Sequence, residues 1–230
     1  AACIVDGPGA DRCLYMNNSA AEINGFTFRG GRLPNSTYSI FGAGIYVVDA
    51  TVRNCTVTGN GIDFTYMPNI SQGGGVYISG GTARNCTISD NYAFGGVTSS
   101  AFTPTGAQGG GVYATGGASI EDSLVSGNFS SGGPNTSGGG IHCSDGSVAK
   151  RCRISSNYIR TMNGKGGGAY LSGGSRLSNC IVNDNVLQAY WSDRPVMPEF
   201  TGAGGGASVI DSTVQNCTIC WNSIQIDGER

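Results

Sequence analysis

The sequence predicts an all-β fold, a right-handed parallel β-helix of about seven coils with loop insertions along one edge. Three observations predict it. A glycine-rich signature recurs six times, with its last glycine at Gly44, Gly75, Gly111, Gly140, Gly168 and Gly206. A second signature follows each copy, from Cys55, Cys86, Ser123, Cys152, Cys180 or Cys217 to an Asn five residues later. Apolar residues alternate within both signatures, as in Val76-Tyr77-Ile78 and Cys86-Thr87-Ile88. A fixed period marks a stack of one unit, and period two with glycine and β-branched residues marks strands rather than helices.

The elements follow in chain order. Residues 1–31 read as an incomplete first coil: Ile4-Val5-Asp6-Gly7 is a strand and turn, Cys13-Leu14-Tyr15 matches the Gly-Val-Tyr strand, and Phe26-Thr27-Phe28 matches the Cys-Thr-Ile strand. Residues 42–230 hold the six repeats, and the whole chain, 1–230, is one domain because a solenoid has no internal boundary. Each repeat reads as three short strands. The middle one is marked by its inward residue: Val52, Ala83, Ile120, Ala149, Leu177 or Val214. Stacking turns equivalent positions into columns about 4.8 Å apart, so the rod is roughly 30–35 Å long. Asn60, Asn91, Asn128, Asn157, Asn185 and Asn222 form a structural ladder of amides at the bend. Tyr46, Tyr77, Tyr113, His142 and Tyr170 form an outward aromatic column, in which His142, the single histidine, reads as a stacking residue rather than a base.

Charged residues are 12% and the formal net charge is −2, which excludes a nucleic-acid partner. No apolar run approaches the ~18 residues of a membrane span. Richness in Ser, Thr, Asn and Gly points to an extracellular or cell-surface protein, and Ala1 reads as the start of a mature chain or of an excised fragment. Of nine cysteines, Cys55, Cys86, Cys152, Cys180 and Cys217 form an inward column too widely spaced for disulfides and are expected as buried thiols. Cys3, Cys13, Cys143 and Cys220 lie outside it.

The insertions are Arg32–Ala43, Gly61–Gln72, Tyr92–Gln108, Phe129–Gly138, Tyr158–Gly166 and Val186–Gly204. One insertion point per coil places them along one edge, the expected binding surface. They hold twelve of the chain's twenty aromatic residues, far more than solvated loops need. Tyr66, Phe94, Phe102, Tyr158, Tyr190, Trp191, Arg194 and Phe200 are the candidates for glycan or subunit contact. The alternative is that these rings pack on each other and cover the rod.

Chemistry is sparse. Asp49, Asp145 and Asp211 share a turn position in separate coils, as do Asp90 and Asp184. Glu121 and Asp122 are the close carboxylate pair, but stacking puts Lys150 and Arg151 above them and Arg84 below Glu121, which reads as cross-rung ion pairing. A hydrolase needs two carboxylates with opposed roles, and a lyase a base beside a charge neutraliser. No catalytic residue, metal or cofactor is assigned.

The paired signatures resemble repeats of chlamydial polymorphic outer membrane proteins, with Gly-Gly-Gly-Val for Gly-Gly-Ala-Ile and Ile-Ser-Asp-Asn91 for Phe-x-x-Asn. They are more similar to large secreted bacterial β-helix proteins with Gly-Gly-Gly-Val-Tyr and Asn-Cys-Thr-Ile-x-x-Asn repeats. The resemblance implies adhesion or a structural role at the surface, with a β-helix polysaccharide lyase or glycoside hydrolase as the alternative. Strand-like sequence at both termini, with Ile4 and Val5 at one and Ile224 and Ile226 at the other, suggests either a longer solenoid or head-to-tail self-association into filaments.

Overall fold

A computed structural model describes residues 3–34, 40–63, 70–96, 106–161, 163–190 and 204–227. The described residues form strands and no helix, and strands pair in parallel from coil to coil. Three sheets are those read from the repeat. The tyrosine sheet runs from Leu14–Asn17 to Ala207–Val209, the middle sheet from Glu22–Asn24 to Thr213–Gln215, and the cysteine sheet from Cys3–Asp6 to Thr218–Cys220. At the first described rung, Cys3–Asp6 pairs with Phe26–Arg29 in the cysteine sheet.

Three strands per coil is an undercount. The residues after each ladder Asn make a fourth, seven-stranded sheet from Arg32–Leu33 to Ser223–Asp227, including Tyr92–Phe94, Phe129–Ser131, Tyr158–Arg160 and Val186–Tyr190. A short fifth sheet, Ile40–Phe41, Ile70–Gln72 and Gly106–Gln108, precedes the glycines and continues as single bridges from Gln108 to Ser137 to Lys165. These strands escaped the repeat because their sequences differ from coil to coil: Gly61-Ile62 pairs with Tyr92-Ala93. Stacking on the rung below, rather than local propensity, makes them strands.

Inward columns fill the core. Val57, Ile88, Val125, Ile154 and Val182 line the cysteine sheet, and Val52, Ala83, Ile120, Ala149 and Leu177 the middle sheet, all buried. Each fully buried Ile, Val or Leu contributes about 1.5–3 kcal/mol. All nine cysteines are free. Cys55 and Cys86 donate Sγ–H to the carbonyls of Arg53 and Arg84 at 3.1 and 3.3 Å. Ser123 does the same to Glu121 at 2.6 Å and accepts the Cys86 amide at 3.0 Å, so serine fills the column without loss of its hydrogen bonds. Burial pushes the Cys86 thiol up to about 11.

The asparagine ladder is continuous. The Nδ2 groups of Asn60, Asn91, Asn128 and Asn157 each donate to Oδ1 of the next Asn at 3.0 Å, and Asn185 to Asn222 at 2.9 Å. Each Oδ1 also accepts the backbone N–H of the Asn below it, at 2.9–3.0 Å. Each Nδ2 also donates to a carbonyl one coil back, such as Asn128 to Ile88 at 2.9 Å. Gly31 starts the ladder, its N–H donating to Asn60 at 2.9 Å.

The glycine triplet has three separate causes, seen at residues 109–111. Gly109 has φ +66°, where side chains are strained. A Cβ on Gly110 would meet the Phe129 carbonyl oxygen at 2.4 Å, and one on Gly111 would meet the Asn128 amide at 2.8 Å. The same contact recurs at Gly75 with Asn91, Gly140 with Asn157 and Gly168 with Asn185. The two repeating signatures are therefore one device: the third glycine leaves the space that the Asn amide of its own coil occupies.

Candidate functional site

The ladder asparagines and the column cysteines are hydrogen-bonded in the interior, so chemistry falls to the outer faces. Glu121 and Asp122 are held in a network: Lys150 Nζ lies 2.9 Å and Arg151 Nη2 3.3 Å from Glu121, and Arg151 Nε 2.6 Å and Arg84 Nε 3.4 Å from Asp122. Arg84 pairs with Asp122 rather than with Glu121, which faces it in register. Burial raises the Glu121 pKa, but hydrogen bonds from Lys150 and Ser119 outweigh it and lower the value; the Arg151 hydrogen bond lowers that of Asp122. These acids are neutralised on several sides, as cross-rung pairing predicts.

Of the loop-edge candidates, Phe94 and Tyr158 are on strands of the fourth sheet, not in loops. Tyr66, Phe102, Trp191, Arg194 and Phe200 lie outside the described residues, as does the side chain of Tyr190, whose backbone ends the strand Val186–Tyr190. The fourth sheet brings Phe94 and Tyr158 together with Tyr92 and Phe129. Phe94 packs edge-on to Tyr92 at 5.2 Å and to Phe129 at 5.4 Å, and Phe129 stacks on Tyr158 at 5.3 Å. Register produces this cluster, because Tyr92, Phe129 and Tyr158 face one another on successive rungs. The Tyr92 ring lies over Gly61, which has no side chain to displace it, and its hydroxyl donates to Asp63 Oδ1 at 2.6 Å. Arg32 lies 4.8 Å from the ring centre. All four rings are half-buried, so a continuous aromatic patch spans three coils of the rod surface.

The second surface is the tyrosine sheet. Tyr15, Tyr46, Tyr77 and Tyr113 stack nearly parallel at 4.7–5.5 Å, and His142 and Tyr170 continue the column at 4.7 and 4.8 Å. The column faces outward, but His142 is only 4% exposed, more enclosed than an outward residue was expected to be. Ser137 Oγ lies 2.8 Å from His142 Nδ1. Burial pushes the His142 pKa down to about 3, with Asp145 opposing weakly, so the ring is neutral near pH 7. Burial and the neighbouring tyrosines push Tyr77 up to about 12.

Beside this column runs a ridge made by the residue just before each glycine triplet: Phe41, Gln72, Gln108, Ser137 and Lys165. Column and ridge both shorten in one coil, where His142 replaces tyrosine and Ser137 stands between Gln108 and Lys165. A cleft of about 280 Å³ opens there, lined by Tyr113, Tyr170, Asp145, Asn135 and Ser144 among others. Thr115 Oγ1 donates to Asp145 Oδ2 at 2.6 Å. The ridge was legible at a constant offset from the glycines, but its changing chemistry hid it.

The His142 pKa makes a testable prediction. The folded-state value is below the unfolded ~6.5, so the unfolded chain takes up the proton first, and stability falls as pH drops through 6.5 toward 3. The expected slope is about 1.4 kcal/mol per pH unit at most. Glu121 and Asp122, with pKa values already lowered, add their loss only below about pH 4.5. Urea titrations at pH 7 and pH 5 check this: wild type loses stability between them and His142→Tyr does not.

Ile4, Ile224 and Ile226 are 49%, 45% and 57% exposed on the outermost rungs, and Val5 packs partly against the core. Among the described residues no group of three or more His, Cys, Asp or Glu side chains is placed to hold a metal ion. No described helix is long and apolar enough to cross a membrane. Residues 12–219 match the family described as "Right handed beta helix region". No curated protein and no solved structure gave a significant match.

Proposed function

Because the chain belongs to the right-handed β-helix family, we propose that it is a non-enzymatic structural or adhesive rod of the cell surface or extracellular space that holds glycan on its outer aromatic faces. The observation that carries this reading is the patch of Tyr92, Phe94, Phe129 and Tyr158 on the fourth sheet. The rings are fixed by cross-rung stacking and hold part of their surface in solvent, so little side-chain entropy is lost on contact with a sugar.

Affinity electrophoresis through gels containing neutral or acidic polysaccharide tests the reading. At least one polysaccharide should retard the protein, and Phe129→Ala with Tyr158→Ala should weaken that about tenfold or more. Unretarded migration in every gel, or a variant that is retarded like wild type, contradicts it. Head-to-tail stacking through the rungs of Ile4, Val5, Ile224 and Ile226 is part of the same proposal; sedimentation showing only monomers at all concentrations removes that part.

One observation favours the polysaccharide lyase or hydrolase reading: Tyr113, Asp145, Lys165 and Tyr170 share one cleft. Asp145 is the one carboxylate among its lining residues, whereas hydrolysis uses two. New chain ends in a treated polysaccharide would establish the enzyme instead.

A further inference from the structure

We propose that the cleft in the His142 coil is a subsite for a single uncharged pyranose ring, separate from the fourth-sheet patch. This rests on the reading that the rod binds glycan. The cleft is a built feature, because two adjacent columns shorten in the same coil: His142 stands where the column otherwise has tyrosine, and Ser137 sits between Gln108 and Lys165. His142 and Ser137 are each 4% exposed and brace one another at 2.8 Å, so the floor is rigid and polar. At about 280 Å³ the space falls at or below the ~300–1,000 Å³ of sites for drug-sized ligands, which suits one ring.

The walls select the chemistry. Asp145 stands on one side of the tyrosine column and Lys165 on the ridge at the other, and neither makes an ion pair among the described residues. Asp145 is a pure acceptor, Lys165 a pure donor, and the amides of Gln108 and Asn135 do both. A ring bearing several hydroxyls can donate to the first, accept from the second and exchange with the amides. A uronate would satisfy Lys165 but face Asp145. The rings of Tyr113 and Tyr170 flank His142 at 4.7 and 4.8 Å, tilted from its plane by 33° and 50°, and both line the cleft; burial raises the Tyr113 pKa and keeps its phenol protonated.

The test is calorimetric titration of the whole chain with cellohexaose, maltohexaose and xylohexaose as neutral probes, trigalacturonate as the acidic probe and glycine as a zwitterion. A neutral probe should bind, Asp145→Asn and Lys165→Met should each weaken it about tenfold or more, and His142→Tyr should abolish it. His142→Tyr restores the residue found elsewhere in the column, so the fold is kept while the cleft fills; an unchanged thermal melt confirms this. Neutral-probe binding that survives all three variants overturns the cleft and leaves the aromatic patch as the glycan site. Preference for trigalacturonate or glycine overturns the uncharged-ring assignment. Failure of the wild type to bind any probe overturns the cleft, and unretarded migration in every polysaccharide gel besides overturns both proposals.

Discussion

Asn128→Ala should lower stability by about 3–5 kcal/mol, the largest effect expected of any single side-chain truncation in the rod. Asn128 Oδ1 accepts from both the backbone and the side chain of Asn91, at 3.0 Å each. Its Nδ2 donates to Ile88 O at 2.9 Å and to Asn157 Oδ1 at 3.0 Å. Truncation strands two buried donors of Asn91 in the middle of the stack, where water does not reach, and each costs about 1–3 kcal/mol. Asn222→Ala is the comparison. Asn222 is half-buried on the last rung, so solvent can replace its partners, and about 1 kcal/mol is expected. Urea unfolding of the two variants checks the contrast; equal losses would mean that burial does not set the ladder's strength.

Gly111→Ala should cost about 2–4 kcal/mol although it adds a single methyl group. The new Cβ would lie 2.8 Å from the Asn128 amide and 2.8 Å from the Gly140 carbonyl oxygen. The amide can yield only by breaking its ladder contacts, and the carbonyl only by shifting the next coil. Combining the variant with Asn128→Ala removes the first obstacle but not the second. The double variant should therefore be more stable than the sum of the single losses predicts, by at least about 1 kcal/mol. Additive losses would show that glycine and asparagine are conserved in the repeat for unrelated reasons within this chain.

Much of the fold was legible because stacking repeats the same residue in the same place. The Asn ladder, the cysteine column and the inward middle-strand residues could each be placed from period alone. What escaped was set by neighbours rather than by local pattern. The fourth-sheet strands have no common motif: Gly61 is a platform for the Tyr92 ring, while Phe129 and Tyr158 are ring partners. Phe94 and Tyr158 were assigned to loops, since nothing local shows that Tyr92–Phe94 pairs with Phe129–Ser131. The cleft needed two columns read side by side. His142 alone looks like a variant of the tyrosine column, and Ser137 alone like a turn residue; only their adjacency makes a cavity.

The claim that the outer aromatic patch holds glycan is tested most directly by hydroxyl-radical footprinting of the intact chain with and without a saturating polysaccharide that retards it in gels. Protection is expected at Tyr92, Phe94, Phe129 and Tyr158, with Tyr15, 58% exposed on the tyrosine sheet, unchanged. Labelling of those four rings that is the same with and without the polysaccharide would contradict it.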